Sequence, residues 1–250
     1  MSLSTSGDRV PTDRLYPDVM AAGSIGRAVE VRARRSGVPW RISRANWQTD
    51  DMISAVVRTD HGDVRIMVGA KLRVFIVSVW RMGALWISGN TPDLDAVTRF
   101  VAAWHDGISL AEAHSRWPFM AYERLAEARE SGDAVAVKWQ LLDADPGADY
   151  VRDVLNAAAA RPELAQLFPW LSHHGTRLHF SRCTGYPFSR DVPYIQGNLA
   201  SYRVIDDRDG TLLGEYPDPV DAVAAVVNSL PEGVGPAVDG DRSVLPELER

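Results

Sequence analysis

Residues 53–88 read ISAVVRTDHGDVRIMVGAKLRVFIVSVWRMGALWIS, and this stretch decides the fold class. Runs rich in β-branched residues occupy 53–59, 64–68 and 73–80, and a further apolar run follows at 85–88. β-Branched and aromatic side chains favour the pleated, half-buried surface of a sheet. The links between the runs, at His61-Gly62-Asp63, Gly69 and Met82-Gly83, are too short for a crossover helix. Neighbouring strands joined this way must be antiparallel. The spacing predicts an antiparallel meander with Trp80 and Trp86 over one face.

Working outward, the pattern on both sides is helical. Ser24 can cap a helix over 24–36 that Gly37 ends. Residues 27–44 hold six arginines, Arg32, Arg34 and Arg35 among them, against one acid, Glu30. Such a run reads first as a solvated helix face with cations at its C-terminal end. Thr91-Pro92-Asp93 starts a helix to about 105, with Thr91 as the expected cap. Ser109, with Glu112 three residues on, starts another that stops before Pro118. A long helix is expected over 120–142, then helix again at 150–160 and 162–168. Strands are expected at 176–182, 202–205 and 211–214, and Asp218-Pro219 opens a last helix to about 230. The order is helix, meander, helices, a second small antiparallel sheet and a C-terminal helix. This is an α+β arrangement, without the regular alternation of a doubly wound sheet. Two subdomains are expected, at 16–119 and 120–236, between flexible tails at 1–15 and 237–250.

Composition narrows the function classes. With 27 basic and 33 acidic residues among 250, the formal net charge is -6, which argues against generic binding to nucleic acid or an anionic membrane. Residues 1–16 lack the apolar segment of a secretory signal, and the longest apolar run, at 74–79, is far short of a membrane span. The expected location is the cytoplasm, and the excess of Ala, Arg, Asp and Val over Lys suggests a high-GC bacterial genome. The single cysteine, Cys183, excludes an internal disulfide and a paired-cysteine zinc site. Phosphate-binding, dinucleotide-binding, zinc-protease and nucleophile-elbow motifs are absent, so neither a cofactor nor a metal is expected.

The most chemically loaded stretch is 172–194, SHHGTRLHFSRCTGYPFSRDVPY. It contains three of the six histidines and the cysteine. On a strand over 176–182, Arg177, His179 and Ser181 share one face and Leu178, Phe180 and Arg182 the other. Cys183 follows at the strand end, where side chains are readily presented to a ligand. A neighbouring His173 or His174 would lower the thiol pKa and give a nucleophile, with Asp191 orienting a histidine. The candidate catalytic residues are therefore Cys183, His174, His179 and Asp191. The candidate ligand-binding residues are His173, Arg177, Ser181, Arg182, Tyr186, Arg190 and Tyr194. A buried cysteine behaving as a small apolar side chain, and histidines that merely satisfy backbone groups, are the competing structural readings.

The runs His174-Gly175-Thr176 and 180–187 (FSRCTGYP) resemble a bacterial family that carries a domain of unknown function and is labelled "natural product biosynthesis protein". Residues 89–94, 117–119, 167–169 and 230–235 are similar to it as well, so the likeness spans most of 16–236. Ser189-Arg190 departs from the family's pattern. The resemblance implies secondary metabolism, with modified peptides as one product class, and brings no reaction with it.

Three functions follow as expectations. The first is an accessory or tailoring protein that binds a small-molecule or peptide intermediate near 172–194 and serves a partner biosynthetic enzyme. The second is a cofactor-independent enzyme using Cys183 or a histidine of 173–179, with Arg177 or Arg182 stabilising negative charge. The third is a protein-interaction or immunity-type module using its sheet or its basic first helix.

Overall fold

The computed structural model describes residues 12–38, 47–198 and 200–245. The chain divides into two compact units, residues 1–123 and 124–250. The sequence placed the division near Phe119. Residues 1–11 and 246–250 of the expected tails lie outside the described residues, as do Arg41 and Arg44 of the basic run.

The first unit opens with helices α1 (Thr12–Leu15), α2 (Pro17–Ala22) and α3 (Ile25–Arg35). Strands β1 (Trp47–Asp50), β2 (Ser54–Thr59), β3 (Gly62–Val68), β4 (Phe75–Arg81) and β5 (Ala84–Thr91) follow. Helices α4 (Leu94–His105) and α5 (Leu110–Arg116) precede the short β6 (Met120–Ala121). The sheet order is β1-β2-β3-β4-β5-β6, an antiparallel meander. Period-2 alternation sends Val57, Val64, Ile66, Phe75, Val77 and Val79 inward, where Val97, Phe100 and Val101 of α4 are also buried. Trp86 is buried, whereas Trp80 is only half-buried and lies under the Arg65 guanidinium. The two tryptophans therefore do not share one environment. The cap of α4 is Asp93, whose carboxylate accepts from the N–H groups of Asp95 and Ala96, and Thr91 instead accepts from Asp93.

The basic helix α3 is partly neutralised within its own unit. Arg32 and Arg73 each bond Asp18 at 2.8 Å. Burial would raise the Asp18 pKa, but the hydrogen bonds from Arg73 and Arg32 hold it well below the usual carboxylate range. Arg32 is thus committed to an internal cluster.

The second unit begins with α6 (Arg124–Ser131), α7 (Ala134–Asp143), a 3-10 turn (Pro146–Val151), α8 (Arg152–Ala159) and α9 (Pro162–Ala165). Strands β7 (Phe168–Ser172), β8 (Arg177–Ser181), β9 (Tyr194–Gly197), β10 (Tyr202–Ile205) and β11 (Leu212–Tyr216) follow, then α10 (Pro219–Asn228). The sheet is again antiparallel, in the order β11-β10-β9-β8-β7. Leu178, Phe180, Ile195 and Val204 form one core with Leu142 of α7, Val154 and Leu155 of α8, and Val223 and Val226 of α10. Burying each such side chain contributes roughly 1.5–3 kcal/mol. Of the single helix expected over 120–142, Met120–Ala121 are instead β6 and the remainder is two helices, because Gly132 adopts φ 88 and breaks it.

Four strands were not expected: β1 and β6 at the edges of the first sheet, and β7 and β9 in the second. Residues 168–172, read as a helix end and a turn, form β7, whose Pro169 pairs with Phe180. Proline is tolerated here because β7 is the edge of the sheet and its missing N–H costs no ladder bond. β9, which follows Pro193, is the central strand. Residues 237–245, expected within a flexible tail, run beside the 182–187 loop. Val238 N–H donates to Arg182 C=O, Thr184 N–H to Val238 C=O and Gly185 N–H to Gly240 C=O. Among the described residues no helix is long and apolar enough to cross a membrane.

Candidate functional site

The β7–β8 hairpin sets Trp170 opposite His179 and Ser172 opposite Arg177. Alternation sends Leu178 and Phe180 to the helical core and leaves Trp170, Ser172, Arg177, His179 and Ser181 on the other face, the partition expected for β8. Tyr194 of β9 adds to that face. The His179 ring lies between Trp170, at 4.0 Å and 13°, and Tyr194, at 4.6 Å and 25°. Phe188 extends the stack, 5.1 Å from Trp170. Stacked pairs of this kind add about 0.5–1.5 kcal/mol each beyond burial, enough to fix the imidazole plane.

With both ring faces covered, only the edges of His179 can make polar contacts. Nε2 lies 2.8 Å from Ser172 Oγ, and Nδ1 lies 3.2 Å from Asp207 Oδ2. Asp207 comes from the β10–β11 turn, and its other oxygen is 3.7 Å from Arg190 Nε. The His179 and Asp207 side chains are 3% and 6% exposed. Burial pulls the His179 pKa below its ordinary value and outweighs the opposing effect of Asp207, while the charges of Arg190 and Arg177 also lower it. The ring is therefore neutral at pH 7. One proton assignment satisfies every contact: Nδ1–H donates to Asp207, and Nε2 accepts from the Ser172 hydroxyl. A second imidazole, His173, places Nδ1 3.1 Å from the same hydroxyl oxygen.

The turn after Ser172 is strained. His173 and His174 adopt φ 49 and 55, and Gly175 adopts φ 82. Left-handed backbone costs a non-glycine residue about 1–3 kcal/mol and persists where the surroundings over-determine it. Here they do, because a Cβ on Gly175 would sit 1.7 Å from the Gly147 carbonyl oxygen. The hairpin end is thus seated directly on the 3-10 turn at Pro146–Val151.

The remaining predicted residues separate from this cluster. Cys183 is fully buried. Its sulfur contacts Ser181 Oγ at 3.4 Å and the carbonyls of Gly185 and Pro187 at 3.7 and 3.8 Å. Burial pushes the thiol pKa up, which keeps it protonated and disfavours a thiolate nucleophile. Ser181 organises the loop: its hydroxyl donates to Cys183 C=O and accepts from the N–H groups of Cys183 and Ser189. Asp191 is bound by Arg182 at 2.8 Å, so the carboxylate expected to orient a histidine instead closes an ion pair. His174 is exposed on the turn. The structure brings together His173, Arg177, His179, Arg190 and Tyr194. It leaves Cys183, Ser181, Arg182 and Asp191 in the loop framework beside them.

Beyond the ring stack lies an open cleft of about 450 Å³ lined by Trp170, Tyr186, Pro187, Phe188, Arg190 and Arg242. Sequence reasoning missed Trp170, Ser172, Asp207, Phe188 and Arg242. Ser172 was within the quoted stretch, but its strand was not recognised. Asp207 stood in a turn read only as a turn. Among the described residues no group of three or more His, Cys, Asp or Glu side chains is placed to hold a metal ion.

The site and its scaffold define an antiparallel sheet covered by helices on one face, with a buried histidine-centred polar cluster on the other. Residues 133–241, which include the whole of that cluster, match the model of a family of unknown function, DUF6193. Comparison with curated proteins and with solved structures finds no match.

Proposed function

We propose that the second unit binds a small-molecule or peptide intermediate in the aromatic–arginine cleft, and that the protein is an accessory or tailoring component of a natural-product pathway in the bacterial cytoplasm. The cleft carries the binding part of this reading. Its volume of about 450 Å³ falls in the small-molecule range of roughly 300–1,000 Å³. Trp170, Phe188 and Tyr186 line it with an aromatic wall, Tyr186 standing edge-on to Phe188 at 5.8 Å. Arg190 and Arg242 add two guanidinium groups at the rim. A ligand with a flat apolar portion and a carboxylate, sulfonate or phosphate meets both kinds of surface. The pathway part rests on the resemblance carried by 174–187. A partner enzyme would then receive the bound intermediate.

Calorimetric titration with 2-naphthoate and with its uncharged analogue 2-naphthamide tests the cleft. The expected result is saturable binding, with the naphthoate at least roughly tenfold tighter, the scale of a charge-assisted hydrogen bond. The Arg190→Ala/Arg242→Ala double variant should erase that difference, and Phe188→Ala should weaken both ligands. Absence of saturable binding, or binding indifferent to these substitutions, overturns the reading.

A further inference from the structure

We infer that Ser172, His179 and Asp207 form a serine-nucleophile centre for acyl transfer, acting on an ester or thioester whose anionic or aromatic part lies in the adjoining cleft. The choice of substrate rests on the cleft reading; the nucleophile does not.

The geometry is that of a base placed to take a hydroxyl proton. A histidine whose far nitrogen bonds a carboxylate is fixed in the tautomer that presents a lone pair at Nε2. In this protein the Ser172 hydroxyl lies on that lone pair, at 2.8 Å, and the Asp207 carboxylate holds Nδ1 at 3.2 Å. A histidine buried only for packing would need the two partners, but it would not need the further features gathered here. Ser172 is half-buried at the end of edge strand β7, on the same face as Trp170, which lines the cleft. It is followed by two strained non-glycine residues. Arg177 stands directly across from Ser172, and its buried Nε has no hydrogen-bond partner among the described residues. The Arg177 guanidinium lies over the Tyr194 ring at 5.3 Å, which keeps a positive charge on the face that carries Ser172, and His173 Nδ1 stands 3.1 Å from Oγ as a donor beside the nucleophile.

The chemistry balances without a cofactor. Ser172 Oγ adds to the carbonyl carbon as its proton passes to His179 Nε2. The tetrahedral adduct collapses when His179 returns that proton to the departing alcohol or thiol, leaving an ester on Ser172. Water then gives a proton to Nε2 and adds to the acyl carbon, and Ser172 Oγ departs with that proton. The net reaction is ester plus water to acid plus alcohol. Asp207 is a positioning residue: it contacts the imidazole and Arg190, not the reacting atoms. The ionisable groups facing His179 are Asp207, Arg190, Arg177 and Tyr194, with His173 reached through Ser172.

Treatment of the full chain with phenylmethanesulfonyl fluoride, followed by peptide mapping, is the test. Ser172 Oγ should displace fluoride and become sulfonylated in the folded protein, and not in urea. Ser172→Ala should abolish the label while circular dichroism shows the fold intact. Asp207→Asn should slow it by roughly 100-fold or more. It should also move the acid limb of the rate–pH profile to lower pH, which loss of a merely structural contact would not do. A burst of p-nitrophenolate from p-nitrophenyl acetate, with acetyl recovered on Ser172, would show transfer. If Ser172 in the folded protein reacts no faster than in urea, the inference is overturned. Naphthoate titration of the same preparation reports on the cleft independently, so the two readings fail separately.

Discussion

Two hydroxyl or thiol groups sit near the ends of adjacent strands in the second unit and have opposite surroundings. Cys183, just beyond β8, is fully buried in a loop that Ser181 organises, with its sulfur against the carbonyl oxygens of Gly185 and Pro187. Ser172, at the end of β7, is half-buried and lies against a neutral imidazole held by a carboxylate. By intrinsic chemistry the thiol is the better nucleophile. By environment it is the worse one, because burial raises its pKa while Ser172 has a base aimed at it. Reactivity here follows from what the fold places beside a group.

The sharpest way to break this contrast is to remove each group. Ser172→Ala should reduce p-nitrophenyl acetate turnover to the background rate, and Cys183→Ala should leave turnover in place. The two variants can be assayed side by side. Equal loss in both would collapse the distinction.

A second variant probes what holds the hairpin end. Gly175→Ala forces a side chain into left-handed backbone and against the Gly147 carbonyl. The expected cost is about 3 kcal/mol or more, from strain plus overpacking. Urea denaturation checks it. A change below 1 kcal/mol would mean that the turn is not seated as described.

Protonation sharpens the comparison further. The folded-state pKa of His179 is depressed, so below the ordinary histidine value of about 6.5 the unfolded chain binds the extra proton more readily. Stability is therefore full above that value and falls as pH drops through it toward the folded pKa. Turnover, which needs the neutral ring, should hold on the acid side of 6.5 and fail only lower. His179→Gln should flatten the stability part of this dependence in pH-resolved thermal melts. The smallest effect belongs to the buried thiol itself: Cys183→Ala should cost only about 1–2 kcal/mol, read from the same denaturation curves.

The two sheets differ in how openly their sequences announce them. In the first, alternating residues such as Val64, Ile66, Val77 and Val79, with short glycine-bearing links, are enough to read an antiparallel meander. In the second, β8 was visible with its two faces correctly assigned, but its neighbours were hidden. β7 carries Pro169, which marks a turn in most settings and is tolerated here only because the strand is an edge. β9 is four residues long and follows Pro193. Since Ser172 and Tyr194 lie on those strands, most of the cluster stayed out of sight. His179, Arg177 and Tyr194 were legible as residue types in a dense stretch. Their meeting with Asp207, 28 positions beyond His179, depends on β9 lying between β8 and β10, which no local pattern encodes.

The contrast between the two groups can be read in one tube. The folded protein is exposed together to phenylmethanesulfonyl fluoride and iodoacetamide, then digested and mapped. The account predicts sulfonyl on Ser172 and an unmodified Cys183, with the thiol alkylated only after urea is added. An alkylated Cys183 beside an unmodified Ser172 in the folded protein would contradict it.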